Sequence, residues 1–179
     1  MKKELLIGCG SNHDKRMTCD GGYEWSNMTT LDNNGDHNPD VYWDLNMIPL
    51  PFKQDTFDEI HAYEVLEHCG VQGDWRFFFA QFEEFYRILK PGGIFAATCP
   101  TFDSIWTWGD PGHTRQVNEG SLIFLVQPEY AQIGKTAMTD YRPWYKADFD
   151  VIAKKTEGEF FAFVLQAIKP ARGANGDKR

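Results

Sequence analysis

The chain has 179 residues, of which 42% are apolar and 25% charged, which suffices for one domain with a buried core but not for two ordinary domains. Its formal net charge is −8, and its lysines and arginines form no basic stripe. Proteins that hold nucleic acids by their phosphates usually carry such a stripe. The composition therefore excludes a nucleic-acid partner and favours a small or polar one.

Nothing in the sequence indicates export or a membrane. The first apolar run, Leu5-Leu6-Ile7, is too short for the core of a signal peptide, and no window reaches the length of a membrane span. The four cysteines form no CxxC pair and no regular framework. These features predict a cytoplasmic protein with reduced thiols and no membrane partner; they say nothing about its oligomeric state.

Short strands separated by polar turns are predicted in the N-terminal half. The first covers residues 5–7, the second residues 25–31 and the third residues 41–43. The segments between them are rich in Asn, Asp and Gly and show no apolar stripe of helical spacing. We therefore expect the helices of this half to be shortened or absent.

The second half alternates more clearly between strands and helices. A strand at 57–63 leads into a helical start at 64–68, and a helix at 75–89 precedes a strand at 94–98. The Lys90-Pro91-Gly92-Gly93 run is expected to stop that helix. A long loop at 100–118, a short helix at 119–126 and two strands joined at Glu157-Gly158 complete the prediction.

This alternation predicts an α/β fold with a mostly parallel sheet and a C-terminal antiparallel hairpin. We expect one domain over residues 1–169. Residues 170–179, rich in Gly, Ala, Asn and Lys, are expected to form a flexible tail.

The first strand runs into a Gly-x-Gly turn at Gly8 and Gly10, where neither glycine brings a Cβ and the backbone can approach a ligand. The dinucleotide fingerprint needs a third glycine where His13 stands, and the residues that follow show no helical pattern for a phosphate. On these residues alone, a ligand-binding loop and a plain tight turn are equally compatible.

Two acidic residues follow later strands. Asp32, at the end of the second strand, suits the hydroxyls of a ribose, although aspartate is also common in turns. Asp44, followed by Leu45, could accept from the exocyclic amine of an adenine, or could cap a strand end.

Seven short motifs then occur in one order along residues 4–100. They are Gly8-Cys9-Gly10, Asp32, Asp44-Leu45, Leu50-Pro51-Phe52, Phe57-Asp58-Glu59-Ile60, Val65-Leu66-Glu67-His68 and Leu89-Lys90-Pro91-Gly92-Gly93. Together they resemble the class I S-adenosylmethionine-dependent methyltransferases. The order and spacing of the set carry the resemblance, since each motif alone is weak.

This resemblance implies a Rossmann-like three-layer sandwich with S-adenosyl-L-methionine as its cofactor. Gly8, Cys9 and Gly10 would pass under the methionine part, with Asn12 standing where the usual loop has its third glycine. A further departure is Leu6, which replaces the acidic residue that usually begins the first motif.

The remaining cofactor contacts implied by the resemblance come from the ends of three strands. Asp32 would hold the ribose hydroxyls, and Asp44 and Leu45 would contact the adenine. Tyr63 and Glu64 would lie by the methionine amino group and lead into the acceptor pocket.

Glu64, Glu67 and His68 could share one helical face, which raises the question of a metal. Their spacing falls short of any known metal motif, and the L-E-H string is common in the resembled family. We therefore expect a structural role for Glu67 and His68, and no metal.

The loop after the strand at 94–98 is predicted to serve the methyl acceptor, because ligands of open α/β sheets lie beyond the carboxyl ends of the strands. His113 is a candidate general base, Arg115 could hold an anionic group, and Asp110 stands beside them. The alternative is a turn shaped by glycine and proline, in which these side chains cap their neighbours.

The sequence thus predicts methyl transfer from S-adenosylmethionine to an oxygen or nitrogen of a small or medium polar acceptor. No N/D-P-P-Y/F motif follows the strand at 57–63, which argues against amino-methylating DNA enzymes. The alternatives are a non-catalytic module that binds S-adenosylmethionine and a nicotinamide-dependent oxidoreductase. The oxidoreductase would need the missing third glycine and a phosphate-binding helix.

Overall fold

A computed structural model describes residues 1–18 and 21–173 of the chain, in which one seven-stranded sheet forms the centre. The strands are β1 (Glu4–Ile7), β2 (Met28–Asp32), β3 (Val41–Tyr42), β4 (Phe57–Tyr63), β5 (Leu89–Pro100), β6 (Phe149–Glu157) and β7 (Phe160–Ala167). The α-helices of the described residues are α1 (Trp75–Ile88), α2 (Ile105–Gly109) and α3 (Glu119–Leu122).

The strand order is β3-β2-β1-β4-β5-β7-β6, and β7 runs antiparallel to both of its neighbours. The other pairs are parallel, so the carboxyl ends of β1, β2 and β4 meet at one edge: Ile7 lies opposite Leu31 on one side and Ala62 on the other. The order reverses between β1 and β4, which is the switch point where open α/β sheets bind ligands. The predicted α/β class and the C-terminal hairpin are confirmed.

The strands of the centre are buried on both faces, as parallel strands covered on both sides must be. Leu5 and Ile7 face the main core, whereas Leu6 faces a second, smaller one. The main core includes Phe82 and Phe85 of α1, which are fully buried. α1 begins at the Asp74 cap, whose carboxylate accepts from the Phe77 amide.

The connections between the N-terminal strands contain little helix, as the sequence predicted. Within the described residues, no α-helix connects β1 to β2 or β2 to β3, and only a 3-10 turn at Gly35–His37 follows β2. The connection after β1 instead lies against the sheet through Lys15, Met17 and Trp25, and thereby covers the smaller core.

Three details of the predicted elements are wrong. Residues 100–118, expected to be all loop, contain α2, which Ser104 caps. The sequence concealed α2 because three of its large apolar side chains are exposed, which leaves no apolar stripe: Ile105, Trp106 and Trp108. The Lys90–Gly93 run lies inside β5, since α1 already ends at Ile88, and the predicted helix 119–126 shortens to α3 followed by a 3-10 turn.

The C-terminal hairpin is followed by a segment that the chain holds in place. The Arg172 guanidinium donates to the carboxylates of Asp148 and Asp150 at 2.7 and 2.6 Å. Of the predicted flexible tail, residues 174–179 lie outside the described residues, and the domain boundary at residue 169 stays a prediction. No helix in the described part of the chain has both the length and the apolar character needed to cross a bilayer.

Candidate functional site

A cavity of about 370 Å³ lies beyond the carboxyl ends of β1, β2 and β4, at the switch point of the sheet. Its size falls within the usual range of small-molecule sites. The sequence-predicted cofactor residues that line it are Gly8, Gly10, Asp32, Asp44, Leu45 and Glu64. The topology therefore brings together, on one cavity, residues from four separate stretches of the chain.

The two glycines of the turn after β1 are favoured at their positions for different physical reasons. Gly8 has a φ of +57°, and a Cβ there would lie 2.2 Å from Cγ2 of Val65, so the close approach of the loop after β4 requires glycine. Gly10 has a φ of +55°, but a Cβ there would meet nothing within 4 Å. Gly10 thus leaves open space at the cavity, and Gly8 allows the close packing beneath it.

Asp32 presents an ionised carboxylate at the cavity. It accepts from the backbone amides of Gly10 at 2.9 Å and Asn34 at 2.8 Å, and His37 Nδ1 lies 3.2 Å away. Burial alone would raise the pKa of Asp32, but the hydrogen bonds from Asn34, Gly10 and His37 outweigh burial and lower it. A charged acceptor in this position suits neighbouring hydroxyl groups.

Asp44 and Leu45 form the opposite wall. The Asp44 carboxylate accepts from the backbone amide and the side-chain amide of Asn46, at 2.8 and 2.9 Å. Asn46 in turn accepts from the Gly70 amide at 2.7 Å, which joins this wall to the turn after β4. Leu45 is buried and supplies an apolar surface.

Glu64 follows β4 with a φ of +52°, a strained conformation for a residue with a side chain. Its amide donates to the Thr98 carbonyl at 3.0 Å, which holds the strain in place. Its Oε1 is buried without a hydrogen-bond partner, and burial raises the pKa of its carboxyl group. This oxygen therefore has an unused capacity to accept a hydrogen bond.

Three predicted cofactor residues do not bring their side chains to this cavity. The side chains of Cys9 and Tyr63 lie in the smaller core on the other face, where the Tyr63 hydroxyl accepts from the Arg16 and Met17 amides at 3.2 Å each. Asn12 is exposed and accepts from the Asp14 amide. Their predicted roles stay predictions, and any contribution from Cys9 and Tyr63 would come from their backbone.

Other residues of the cavity wall were not predicted from the sequence to contact the cofactor. These are Leu31, Asn33, His37, Trp43, Asn46, Val65, His68 and Cys69. Each lies within a few residues of a predicted contact, at or just after a strand end. The rule that ligands lie beyond strand ends would have suggested the neighbourhood, but not which side chains face inward.

The predicted acceptor loop is placed beside this cavity and not on its wall. The His113 side chain is 7% exposed, and its ring packs edge-on against the His68 ring, with centroids 4.6 Å apart. His113 Nε2 lies 3.9 Å from Oε1 of Glu67 and 3.9 Å from Oδ2 of Asp110. His68 thus borders the cavity, whereas His113 lies in a second layer.

Arg115 is buried, and its guanidinium serves the chain itself. Its Nε donates to the Leu66 carbonyl at 2.8 Å, and its Nη2 donates to Oε1 of Gln81. These bonds fasten the predicted acceptor loop to the turn after β4 and to α1. The guanidinium therefore offers no charge to the cavity as the loop stands.

Glu67 lies beneath the same turn, with 2% of the residue exposed. Burial, followed by the charge of Glu64, raises the pKa of its carboxyl group to about 8. Neither of its carboxylate oxygens has a hydrogen-bond partner of good geometry, and the neighbouring donor is the weak Cys99 thiol. A buried acid in this condition is uncommon, because buried polar groups are nearly always satisfied.

Comparison with known proteins agrees with this geometry. The methyltransferase domain family matches residues 5–97, which is the part that builds the cavity. A probable S-adenosylmethionine-dependent methyltransferase of Mycolicibacterium smegmatis is 31% identical over 87 residues, covering 46% of this chain and 31% of that protein. A sterol 24-C-methyltransferase of Pneumocystis carinii is 29% identical over 91 residues, covering 50% of this chain and 22% of the relative. The chain thus spans less than a third of the length of either relative.

Solved structures have a similar fold. An S-adenosylmethionine-dependent methyltransferase from Archaeoglobus fulgidus superposes with a TM-score of 0.57 at 14% identity, covering 92% of this chain and 86% of that one. At this identity the likeness shows the Rossmann-like fold alone. The family match covers more than half of the chain and includes the cavity residues. The chain therefore belongs to the methyltransferase domain family, for which S-adenosyl-L-methionine is the cofactor.

Proposed function

We propose that the protein transfers the methyl group of S-adenosylmethionine to an oxygen or nitrogen of a small or medium polar acceptor. The observation that carries the proposal is the placement of three different features on one cavity. Asp32 is an ionised acceptor for ribose hydroxyls, Gly10 leaves open space, and Glu64 has an unpaired oxygen for the methionine ammonium. This set matches the polar groups of the cofactor.

When bound, the cofactor supplies an electrophilic methyl group on a sulfonium centre. The residues of the chain have to hold and align the reactants, because orientation contributes most to such a displacement. Leu45 and Val65 supply apolar walls, and the Asp44 carboxylate would accept a hydrogen bond from the adenine amine. His68 and Glu64 are the titratable side chains of the wall where β4 ends.

The nature of the acceptor is inferred from charge. The chain has a net charge of −8, so a neutral or cationic molecule would approach more readily than a polyanion. The cavity walls near His68 and Asn46 offer hydrogen-bonding groups, which favours a polar acceptor. His113 lies behind His68, and we do not include it as a base in this proposal.

The oxidoreductase alternative is less compatible with the turn after β1. Dinucleotides place their pyrophosphate at the N-terminus of a helix that follows the glycine turn. Neither 11–18 nor 21–27 contains a helix. A module that binds the cofactor without catalysis would have the same cavity. The transfer assay described below distinguishes such a module from an active enzyme.

Thermal unfolding with S-adenosylmethionine, S-adenosylhomocysteine and NAD tests the proposal. A ligand that binds only the native state at a hundred times its Kd adds about 2.7 kcal/mol of stability. We expect both sulfur-containing ligands to raise Tm and NAD to leave it unchanged. Stabilisation by NAD alone would contradict the proposal.

Transfer itself is measured with S-adenosylmethionine labelled in its methyl group and a panel of polar alcohols, phenols, amines and carboxylates. We expect label in at least one acceptor class. Tight binding of the cofactor with no transfer across the whole panel would instead favour the non-catalytic module.

A further inference from the structure

Three potential metal ligands meet behind the cofactor cavity. One side-chain donor atom from each of Glu67, His68 and His113 lies within 4.8 Å of the other two. Glu67 and His68 come from the 3-10 turn Leu66–His68 after β4, and His113 comes from the loop after α2. The sequence groups Glu67 and His68 with Glu64 and predicts no metal. The fold instead brings His113 next to Glu67 and His68.

Three polar atoms of this group lack hydrogen-bond partners in the described chain. Both carboxylate oxygens of Glu67 and Nδ1 of His113 are buried without a hydrogen bond. The side chains are 3% and 7% exposed, so solvent does not satisfy them either. Burying a carboxylate without a partner is costly, and buried carboxylates are usually paired or bound to metals.

The two segments are fastened to each other, so their meeting is built into the fold. The Thr114 amide donates to the Glu67 carbonyl at 2.9 Å, on the residue next to His113. His68 Nδ1 lies 3.1 Å from the Gly112 carbonyl. Because a carbonyl only accepts, His68 Nδ1 carries the hydrogen, and its Nε2 keeps a lone pair. Metal-binding histidines are commonly oriented by such a bond from their other nitrogen.

We propose that Glu67, His68 and His113 bind one divalent first-row transition-metal ion. Two imidazoles and one carboxylate form a donor set found in zinc sites and in non-haem iron sites, with positions left open for other ligands. Asp110 stands on the exposed side, with Oδ2 3.9 Å from His113 Nε2, where it can complete the coordination.

The three donor atoms need to move only slightly closer together to bind one metal ion. For three atoms that are no more than 4.8 Å apart, there is a point within about 2.8 Å of all three. Zinc sites have metal–nitrogen and metal–oxygen distances of about 2.0–2.2 Å. Shifts of less than about 1 Å in flexible side chains would therefore close the site.

This proposal gives His113 the role of a ligand in place of the base that the sequence suggested. The metal would lie beside the wall that His68 gives to the cofactor cavity. Any part of the metal in methyl transfer rests on the proposed function, but metal binding does not. The test below therefore uses binding alone.

The experiment titrates untagged, chelator-treated protein with Co²⁺, whose visible absorption reports nitrogen and oxygen coordination, and then displaces it with Zn²⁺. We expect one equivalent of Co²⁺ with a micromolar or lower Kd. Glu67→Gln and His113→Gln should each weaken it at least tenfold. His13→Gln, a histidine outside the group, should leave the Kd unchanged.

An absent Co²⁺ spectrum, or equal affinity in all variants, would overturn the proposal. Circular dichroism of the metal-free variants confirms that they fold. Should His113→Gln not fold, His68→Gln replaces it, since His68 is exposed and its loss leaves no buried gap. Binding of S-adenosylhomocysteine to metal-free protein is measured in parallel. Retained cofactor binding without metal binding would refute this inference and leave the proposed function standing.

Discussion

Two buried polar clusters lie near the central strands, and they differ in how their charges are compensated. The sheet cluster contains Glu4, Lys15, Glu59 and His61, and Lys15 Nζ lies 2.5 Å from Glu4 and 2.9 Å from Glu59. The loop cluster contains Glu67, His68 and His113, and its nearest ion-pair distance is 3.9 Å. Both groups have three residues that could ligate a metal, but only the sheet cluster contains its own cation.

This difference separates a structural role from a binding role. Lys15 belongs to the irregular connection that stands where a helix is absent, and it anchors that connection to the sheet. Its ammonium fills the place between the carboxylates, and the Ser26 amide donates to the other Glu4 oxygen at 2.6 Å. In the loop cluster, the buried Arg115 guanidinium acts on Glu67 without forming an ion pair, because its hydrogen bonds go to Leu66 and Gln81. We therefore assign a metal only there.

The largest expected effect is that of Lys15→Met. It leaves Glu4 buried without its cation, while Glu59 keeps its ion pair with Lys2. Breaking a buried pair in this way costs about 3–5 kcal/mol. Urea unfolding at pH 7 should show a loss of this size in the free energy of unfolding. A loss below about 1 kcal/mol would mean that the sheet cluster does not hold the connection.

The pH dependence of stability sharpens the comparison. The hydrogen bond from His61, with those from Lys2 and Lys15, holds the pKa of Glu59 far below its usual range. A carboxylate with a lowered pKa in the folded state stabilises above its unfolded pKa, and this contribution is lost as the pH falls. Between pH 5 and pH 3 the wild type should therefore lose about 1–2 kcal/mol more than Glu59→Gln. Parallel curves for the two proteins would contradict this account.

The smallest effect is expected from Glu67→Gln in metal-free protein. Because burial raises the pKa of Glu67 to about 8, the carboxyl group is mostly protonated at pH 7, and the change replaces a neutral buried acid by an amide of the same shape. The free energy of unfolding should stay within about 1 kcal/mol of wild type or rise. A loss as large as that of Lys15→Met, measured under the same conditions, would show that the two clusters are equivalent.

The strands of the N-terminal half, and the residues at which they end, could be predicted from the sequence because local patterns specify them. Apolar runs gave the strands, and the positions of Asp32, Asp44 and Gly10 follow directly from where the strands end. Parallel strands bring such positions to one edge without further information. The direction of Glu64, with its positive φ, needed the structure.

The arrangement of the segment after β5, which includes α2, His113 and Arg115, could not be predicted from local patterns. The burial of Arg115 depends on Leu66 and Gln81, which are far away in sequence. The meeting of His113 with Glu67 depends likewise on backbone bonds between two loops. Short helix α2, with its exposed aromatic side chains, has no pattern that periodicity can detect.

The central claim is that the cavity at the switch point binds S-adenosylmethionine through Asp32. Calorimetric titration of S-adenosylhomocysteine tests it most directly, with Asp32→Ala beside Asp36→Ala, an exposed acid of the same turn. Hydrogen bonds to a charged group contribute about 1.5–3 kcal/mol, so Asp32→Ala should weaken binding at least tenfold. Asp36→Ala should bind as the wild type does. Equal affinity in folded Asp32→Ala, or no binding to the wild type, would contradict the account.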